Sequence, residues 1–314
     1  MITEKDSLSN MSYIHRWWLG IRPRTLPAAI APVLVGWGIV IGTNSSSFKI
    51  FPALVILFCS VLIQIGTNLV NDVVDFEKGI DTQERQGPTR VTQSGLLTPS
   101  QVRAGVAITF GLAAAAGIYL FSIAGWPVLI IGAASILAGI SYSTGPFPLA
   151  HNGLGDLFVL IFFGFVAVCG TVFVLYGSIP LIAWLSGLAI GGLTVNILVV
   201  NNIRDIETDR KSGRRTIPVV FGRLTAEIEY GIFFAIAFLM PEFLLLFHLS
   251  QIWILITLVS LQYGFGVVRT MLSAKEGPMY NKALAKTGQL LLYYSILYAI
   301  GLAANAFYSS FSPQ

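Results

Sequence analysis

Charged side chains are scarce in this sequence: Asp, Glu, Lys and Arg make up 11% of 314 residues, against 55% that are hydrophobic. Soluble domains carry about 25% charged residues, so a soluble protein is excluded, as the mean hydropathy of +0.76 also requires. Strand-like alternation is missing too, which rules out a membrane β-barrel and leaves helices to satisfy the backbone in lipid. Cysteine is nearly absent. Cys59 and Cys169 lie inside apolar runs, where a small core residue is expected rather than a disulfide or a metal ligand, and no redox compartment follows from them. No nucleic-acid-binding module is recognisable, and the first ~15 residues lack the apolar core of a cleavable signal peptide. The first apolar span is therefore expected to direct insertion.

What the chain does contain is long apolar runs. They predict an all-α integral membrane protein with about nine transmembrane helices, at roughly 25–43, 51–74, 101–121, 126–142, 154–176, 180–201, 228–248, 251–271 and 287–308. Residues 1–24 then form an N-terminal cytoplasmic segment, 25–308 a single transmembrane domain and 309–314 a short tail. With the N-terminus inside, every Lys and Arg except Lys49 falls on the cytoplasmic side, as the positive-inside rule asks. All acidic residues except Glu242 fall there as well. Charges of both signs at one face predict a polar site open to the cytoplasm. The basic balance, with a pI near 9.1, predicts anionic lipid or an anionic substrate as partner, and no nucleic acid.

Two spans end abruptly in polar rows. On a helix, Asn68, Asp72 and Asp75 stand at i, i+4 and i+7 and share one face, and Asn201, Asp205 and Asp209 stand at i, i+4 and i+8. Each row offers the oxygen ligands that Mg²⁺ takes while keeping waters for a phosphate-bearing substrate. The two rows are expected to form facing halves of one site, and the repeated Asn-x-x-x-Asp at 68–72 and 201–205 is compatible with two related helical halves. After the first row comes a loop too long for a mere connector, carrying Asp81, Glu84, Arg85 and Arg90. Lys78, Arg85, Arg90, Arg204, Arg214 and Arg215 are the cations available to grip a diphosphate.

Other stretches are read more modestly. In SYSTGPFPLAHNGLGD, residues 141–156, Tyr142, Asn152 and Asp156 are placed to line the site as donors or a base, whereas a lone interfacial His151 is expected to be solvated. The Phe-dense run beginning at Phe158 reads equally as a lipid-facing wall or as the lining of an apolar tunnel. Trp17, Trp18, Arg22 and Arg24 read as an interfacial anchor, with both arginines also placed to attract an anionic head group. Pro241 is expected to kink or end its helix.

Facing acidic rows repel each other and an anionic substrate, and Mg²⁺ bridging carboxylates to a diphosphate removes both problems. If that diphosphate sits on an allylic hydrocarbon, its departure leaves a carbocation that an electron-rich aromatic carbon attacks, and membrane burial keeps the cation from water. Tyr142 and Asp156 would serve on the acceptor side, one stabilising the cation or orienting the ring, the other assisting hydroxyl deprotonation. An ion-coupled transporter is the reading from another class. Against it, the charges gather at one face, with no ionisable path across the spans.

Both rows, together with RPRTLPAAIAPVLVG at 22–36 and NKALAKTGQLLLYYSILYAIGL at 281–302, resemble the UbiA superfamily of intramembrane prenyltransferases along nearly the whole chain. The resemblance implies a nine-helix bundle. KGIDTQERQGPTRVTQSGLLT at 78–98 and YSTGPFPLAHNGLGDLFVLIFFG at 142–164 are most similar to 1,4-dihydroxy-2-naphthoate polyprenyltransferases of menaquinone synthesis. That implies transfer of an all-trans polyprenyl group from its diphosphate to 1,4-dihydroxy-2-naphthoate, with loss of CO₂ and diphosphate, in a bacterial cytoplasmic membrane. By position, Asn68, Asp72 and Asp75 match the first metal row, with Asp81 as its downstream acid six residues after Asp75, where the wider superfamily pattern has four. Asp205 and Asp209 match the second row, preceded by Asn201 and Asn202. The acceptors 4-hydroxybenzoate, homogentisate and haem stay open as alternatives, as do prenyl chain length and oligomeric state.

Overall fold

The computed structural model describes residues 11–79, 87–145 and 148–306, and these contain helices, turns and loops but no strand. The first helix, α1 (Tyr13–Ile21), starts where the Ser12 hydroxyl accepts from the His15 amide and stops at Arg22, whose φ of 56° is left-handed. A short 3₁₀ turn, Pro23–Thr25, then leads into α2 (Pro27–Thr43), and the chain bends by 55° between the two segments. Next come α3 (Ile50–Glu77), α4 (Pro99–Ala124), α5 (Trp126–Ser141) and α6 (Gly155–Tyr176), the last with a π-helical stretch at Leu160–Val166. Thr98 and Gln101 cap α4 reciprocally, with Pro99 at its first turn, the strongest start signal in the chain. The second half comprises α7 (Leu181–Arg204), the short α8 (Ile206–Lys211) and α9 (Ile217–Phe221), then α10 (Arg223–Leu246), α11 (Ile252–Leu272) and α12 (Gly277–Ala303).

Each of the nine expected spans falls on one of these helices. By length and apolarity, six among the described residues can cross a membrane (α3, α4, α6, α7, α10 and α11), and the bent α1–α2 pair would make a seventh. The expected count of nine is not reached on this measure. α5 has only 16 residues, and the 27-residue α12 is diluted by Lys282, Lys286 and Gln289. α10 runs unbroken past Pro241, so that proline does not end it.

Small residues and a few internal hydrogen bonds hold the bundle together, as expected where lipid gives helices no hydrophobic reason to associate. α7 is the most enclosed helix and packs on α6, α10, α12 and α2. Gly164 in the π stretch lies against Gly187 and Gly191 of α7, and a methyl group there would come within 2.5 Å of the Gly187 carbonyl. The buried tyrosines find partners: Tyr298 with Ser186 at 3.0 Å, Tyr230 with Thr287 at 3.1 Å, and Tyr294 with the Ala237 carbonyl. α2 and α12 pack along their length, but α5 leans on α4 and α3 and barely touches α6. A cavity opens in that loosely packed region.

Candidate active site at the polar end of the bundle

The first polar row occupies the last turns of α3. Asp72, 1% exposed, is fully engaged: Oδ1 accepts the Thr92 amide at 2.9 Å, and Oδ2 accepts the Val91 amide at 3.2 Å and Arg22 Nη2 at 3.5 Å. One turn on, Asp75 accepts from Arg90 Nη2 at 2.9 Å and from Arg214 Nη2 at 2.8 Å. Asn68 donates to the Ile21 carbonyl and to Thr25 Oγ1, both at 3.0 Å, which ties α3 to the turn before α2. Asn71 accepts from Ser143 Oγ at 2.5 Å while Lys78 Nζ donates to the Ser143 carbonyl at 2.7 Å, fastening α3 to the end of α5.

The second row sits at the junction of α7 and α8. Arg204 Nε and Nη2 fork around the Asp205 carboxylate at 2.8 and 2.6 Å, and Arg204 Nη1 donates to Asn281 Oδ1 of α12 at 2.8 Å. Asp209 lies 3.6 Å from Arg214 Nη1. Arg214 therefore bridges the rows, one nitrogen on Asp75 and the other beside Asp209. Burial works against its charge, but the two carboxylates outweigh that and raise its pKa. The neighbouring His151 is pushed the other way, down to about 4, first by burial and then by the Arg214 charge, so the imidazole is neutral near pH 7. Its carbonyl accepts the Arg215 amide at 2.9 Å, which closes the 148–154 loop onto the segment after α8. Gly153, with φ of 74°, makes that approach feasible, since a Cβ would come 2.9 Å from the Arg215 carbonyl.

A cavity of about 630 Å³ joins these groups. Its polar end is lined by Asn68, Asp75, Arg90, Tyr142, Asp156, Asn201, Arg204, Asp205, Asp209 and Arg214, and the rest runs between apolar faces of α3, α4, α5 and α6. The Phe-dense run divides by face: Phe158, Phe162, Phe163 and Phe173 line the cavity, whereas Leu157 and Ile161 are exposed on the outside. Gly155 packs close to the Tyr142 hydroxyl, so Tyr142 and Asp156 are neighbours on the cavity wall. Asp156 is 7% exposed, and its Oδ1 makes no hydrogen bond among the described residues.

Four of the expected site residues do not line this cavity. Asp72 is turned to the 91–92 backbone, Asn152 donates to the Pro148 carbonyl at 2.7 Å, and Lys78 and Arg215 are exposed. Asp81 and Arg85 lie outside the described residues. Asn202, expected beside the second row, lines the cavity, and so do Asn71, Thr216 and Arg22, the last read from sequence as an anchor and paired here with Asp72. The left-handed turn at Arg22 swings it inward, and no sequence signal marks that turn.

The donor set fits a hard cation. Among the described residues no three acidic, His or Cys side chains converge on one point. Mg²⁺, however, is held through one or two carboxylates, waters and substrate phosphates rather than by an all-protein cage. Asp75, Asp205 and Asp209, with amide oxygens of Asn68 and Asn201 on the same wall, supply only oxygen ligands.

Comparison with known proteins gives concordant matches. The UbiA prenyltransferase family is matched over residues 29–293. A 1,4-dihydroxy-2-naphthoate octaprenyltransferase of Mycobacterium tuberculosis is 31% identical over 293 residues, covering 93% of this chain and 98% of that protein. Its Escherichia coli counterpart is 30% identical over 298 residues, covering 93% and 96%. The UbiA prenyltransferase domain-containing protein 1 of Mus musculus is 28% identical over 307 residues, covering 95% and 88%. Among solved structures, a UbiA homologue from Archaeoglobus fulgidus bound to GPP and Mg²⁺ superimposes with a TM-score of 0.63 at 15% identity, covering 91% of this chain and all of that one, which shows a shared fold.

Proposed function

This chain belongs to the UbiA prenyltransferase family, and from that premise we propose that it transfers an all-trans polyprenyl group to 1,4-dihydroxy-2-naphthoate, a step of menaquinone synthesis. The observation that carries the reading is one continuous cavity, which has carboxylates and guanidinium groups at one end and apolar walls over the rest. Such a shape suits one molecule with a diphosphate head and a hydrocarbon tail. Mg²⁺, held by Asp75, Asp205 and Asp209 with Asn68 and Asn201 in support, would neutralise the diphosphate and act on it as a Lewis acid. Arg90, Arg204 and Arg214, already turned into the cavity, are the nearest phosphate clamps, with Arg22 beside them.

In this reaction the allylic carbon–oxygen bond breaks and its electron pair leaves with the diphosphate. The ring carbon bearing the carboxylate forms the new carbon–carbon bond, and loss of CO₂ returns an electron pair to the ring. Tyr142, on the cavity wall, would present its ring and hydroxyl to the cation, and Asp156 Oδ1, which has no hydrogen-bond partner among the described residues, would accept a hydrogen bond from a hydroxyl of the acceptor. The polar end faces the cytoplasm, where both substrates are made available, in the cytoplasmic membrane of a bacterium.

The test uses purified protein in detergent, a prenyl diphosphate, dihydroxynaphthoate and Mg²⁺ or EDTA, with product and CO₂ followed by mass. Mg²⁺-dependent decarboxylative prenylation that Asp205→Ala abolishes is the expected result. Turnover with 4-hydroxybenzoate but not with the naphthoate would keep the transferase and overturn the acceptor.

A further inference from the structure

Three glycines on three different helices line the apolar part of the cavity: Gly117 of α4, Gly132 of α5 and Gly170 of α6. Most interior glycines of this bundle are there to let helices touch; a Cβ at Gly38, Gly66, Gly164 or Gly191 would meet a neighbour within 2.9 Å. These three differ, because a Cβ at any of them would meet nothing within 4 Å. What they leave free is the cavity, not a helix contact.

Their heights agree. Gly170 lies six residues before the end of α6 at Tyr176, Gly132 six after the start of α5 at Trp126, and Gly117 seven before the end of α4 at Ala124. At 1.5 Å per residue each stands about 9–10.5 Å along its helix from the end remote from the polar site. The cavity continues past that level to Val128 and Val174. A ring of small residues alone says nothing about a ligand. Here, though, the same cavity ends at the polar side on Asp156, 7% exposed with an oxygen that has no hydrogen-bond partner among the described residues.

We propose that Gly117, Gly132 and Gly170 form the aperture through which the prenyl tail of the donor passes, so that they set the longest chain this protein accepts. The inference rests on the prenyl-transfer reading and deepens it. From Asp156 to Gly170 is fourteen residues of α6, about 20 Å. An isoprene unit advances by four carbon–carbon bonds of ~1.5 Å, about 5 Å when extended. Donors of up to roughly four units therefore end before the aperture, and longer ones thread through it.

The experiment compares wild type with Gly170→Leu and Gly132→Leu, using farnesyl and octaprenyl diphosphate as donors. Both positions have open space beside them, and leucine is a better helix former than glycine, so the variants fold. Gly111→Leu is the control: it too has open space, but it lies exposed on α4 away from the cavity. Farnesyl transfer stays within about twofold of wild type in all variants, and kcat/KM for octaprenyl diphosphate falls about tenfold or more in the two aperture variants alone, the discrimination a few misplaced carbons produce in an apolar site. Equal loss with both donors, no loss with octaprenyl diphosphate, or a wild type that rejects octaprenyl diphosphate would overturn the proposal. Thermal stabilisation by the two diphosphates is measured in parallel and needs no acceptor. If wild type prenylates no acceptor, the functional reading fails, and the aperture stands or falls on whether the leucines remove stabilisation by the long donor only.

Discussion

Asp72 stands in the first acidic row, yet its oxygens are spent on the backbone of residues 91 and 92 and on Arg22. Asp72→Ala removes the acceptor for two buried amides, Val91 being 0% and Thr92 3% exposed. Each buried donor left unsatisfied costs about 1–3 kcal/mol, so the variant should lose about 2–6 kcal/mol. Asp72→Asn keeps one oxygen for one amide and should lose about half as much. In a chain of this size a kcal/mol corresponds to about 2 °C, which gives a fall of about 4–12 °C in Tm for the alanine variant. The assay is thermal unfolding of the purified protein in detergent with EDTA present, so that no divalent cation contributes. Limited proteolysis should show faster cleavage between 87 and 98 in the alanine variant. Unchanged melting and proteolysis in EDTA, with activity lost, would refute the reasoning and leave Asp72 as a ligand rather than an anchor.

Three further outcomes follow from the geometry. Arg214→Gln, which removes the cation bridging Asp75 and Asp209, should lower metal-free stability by about 2 kcal/mol and make Mg²⁺ more stabilising than in wild type, both read from melting curves with and without the ion. Because the folded-state pKa of His151, about 4, lies below its ordinary value of 6.5, the unfolded chain binds the extra proton between those values. Stability should therefore fall as pH drops from about 6.5 towards 4, and His151→Gln should flatten that part of the profile in pH-dependent melting. Gly38→Leu drives a side chain into the Ala299 backbone, where even a Cβ would lie 2.6 Å from the carbonyl oxygen, and should cost about 3 kcal/mol or more, visible as loss of folded protein on size-exclusion chromatography.

The sequence made the bundle and the two polar rows legible because both depend on local patterns. Apolar runs locate helices in lipid, and 3.6-residue spacing puts Asn68, Asp72 and Asp75 on one face whatever the rest of the chain does. What stayed hidden depends on meetings between distant segments. Arg22 looks like an interfacial anchor until the left-handed turn at that residue directs it to Asp72, fifty residues on. Asp72 and Asp75 are alike in sequence, but the backbone at 91–92 folds back over Asp72, whereas Asp75 meets the Arg90 and Arg214 side chains on the cavity wall. The Phe-dense run was ambiguous for a physical reason: one helix serves lipid and cavity at once, and only the opposing faces of α4 and α5 show which rings point where.

The pairing pattern carries a consequence for how the site fills. Among the described residues, Arg22 with Asp72, Arg90 with Asp75, Arg214 with Asp75 and Asp209, and Arg204 with Asp205 pair four cations with four carboxylates. At a membrane face an unpaired charge costs several kcal/mol, so these pairs favour the site's geometry without a ligand. It also means that turning Arg204 to a phosphate would draw it away from Asp205, and that a metal ion on Asp205 would draw that carboxylate away from Arg204. Either ligand alone meets that penalty. Arriving together, a divalent cation satisfies the aspartates that the arginines give up, and the phosphate oxygens satisfy the arginines. Each ligand should therefore raise the affinity for the other by the same factor, as linkage demands, and the ion pairs of the protein contribute to that cooperativity beside the contact between the two ligands.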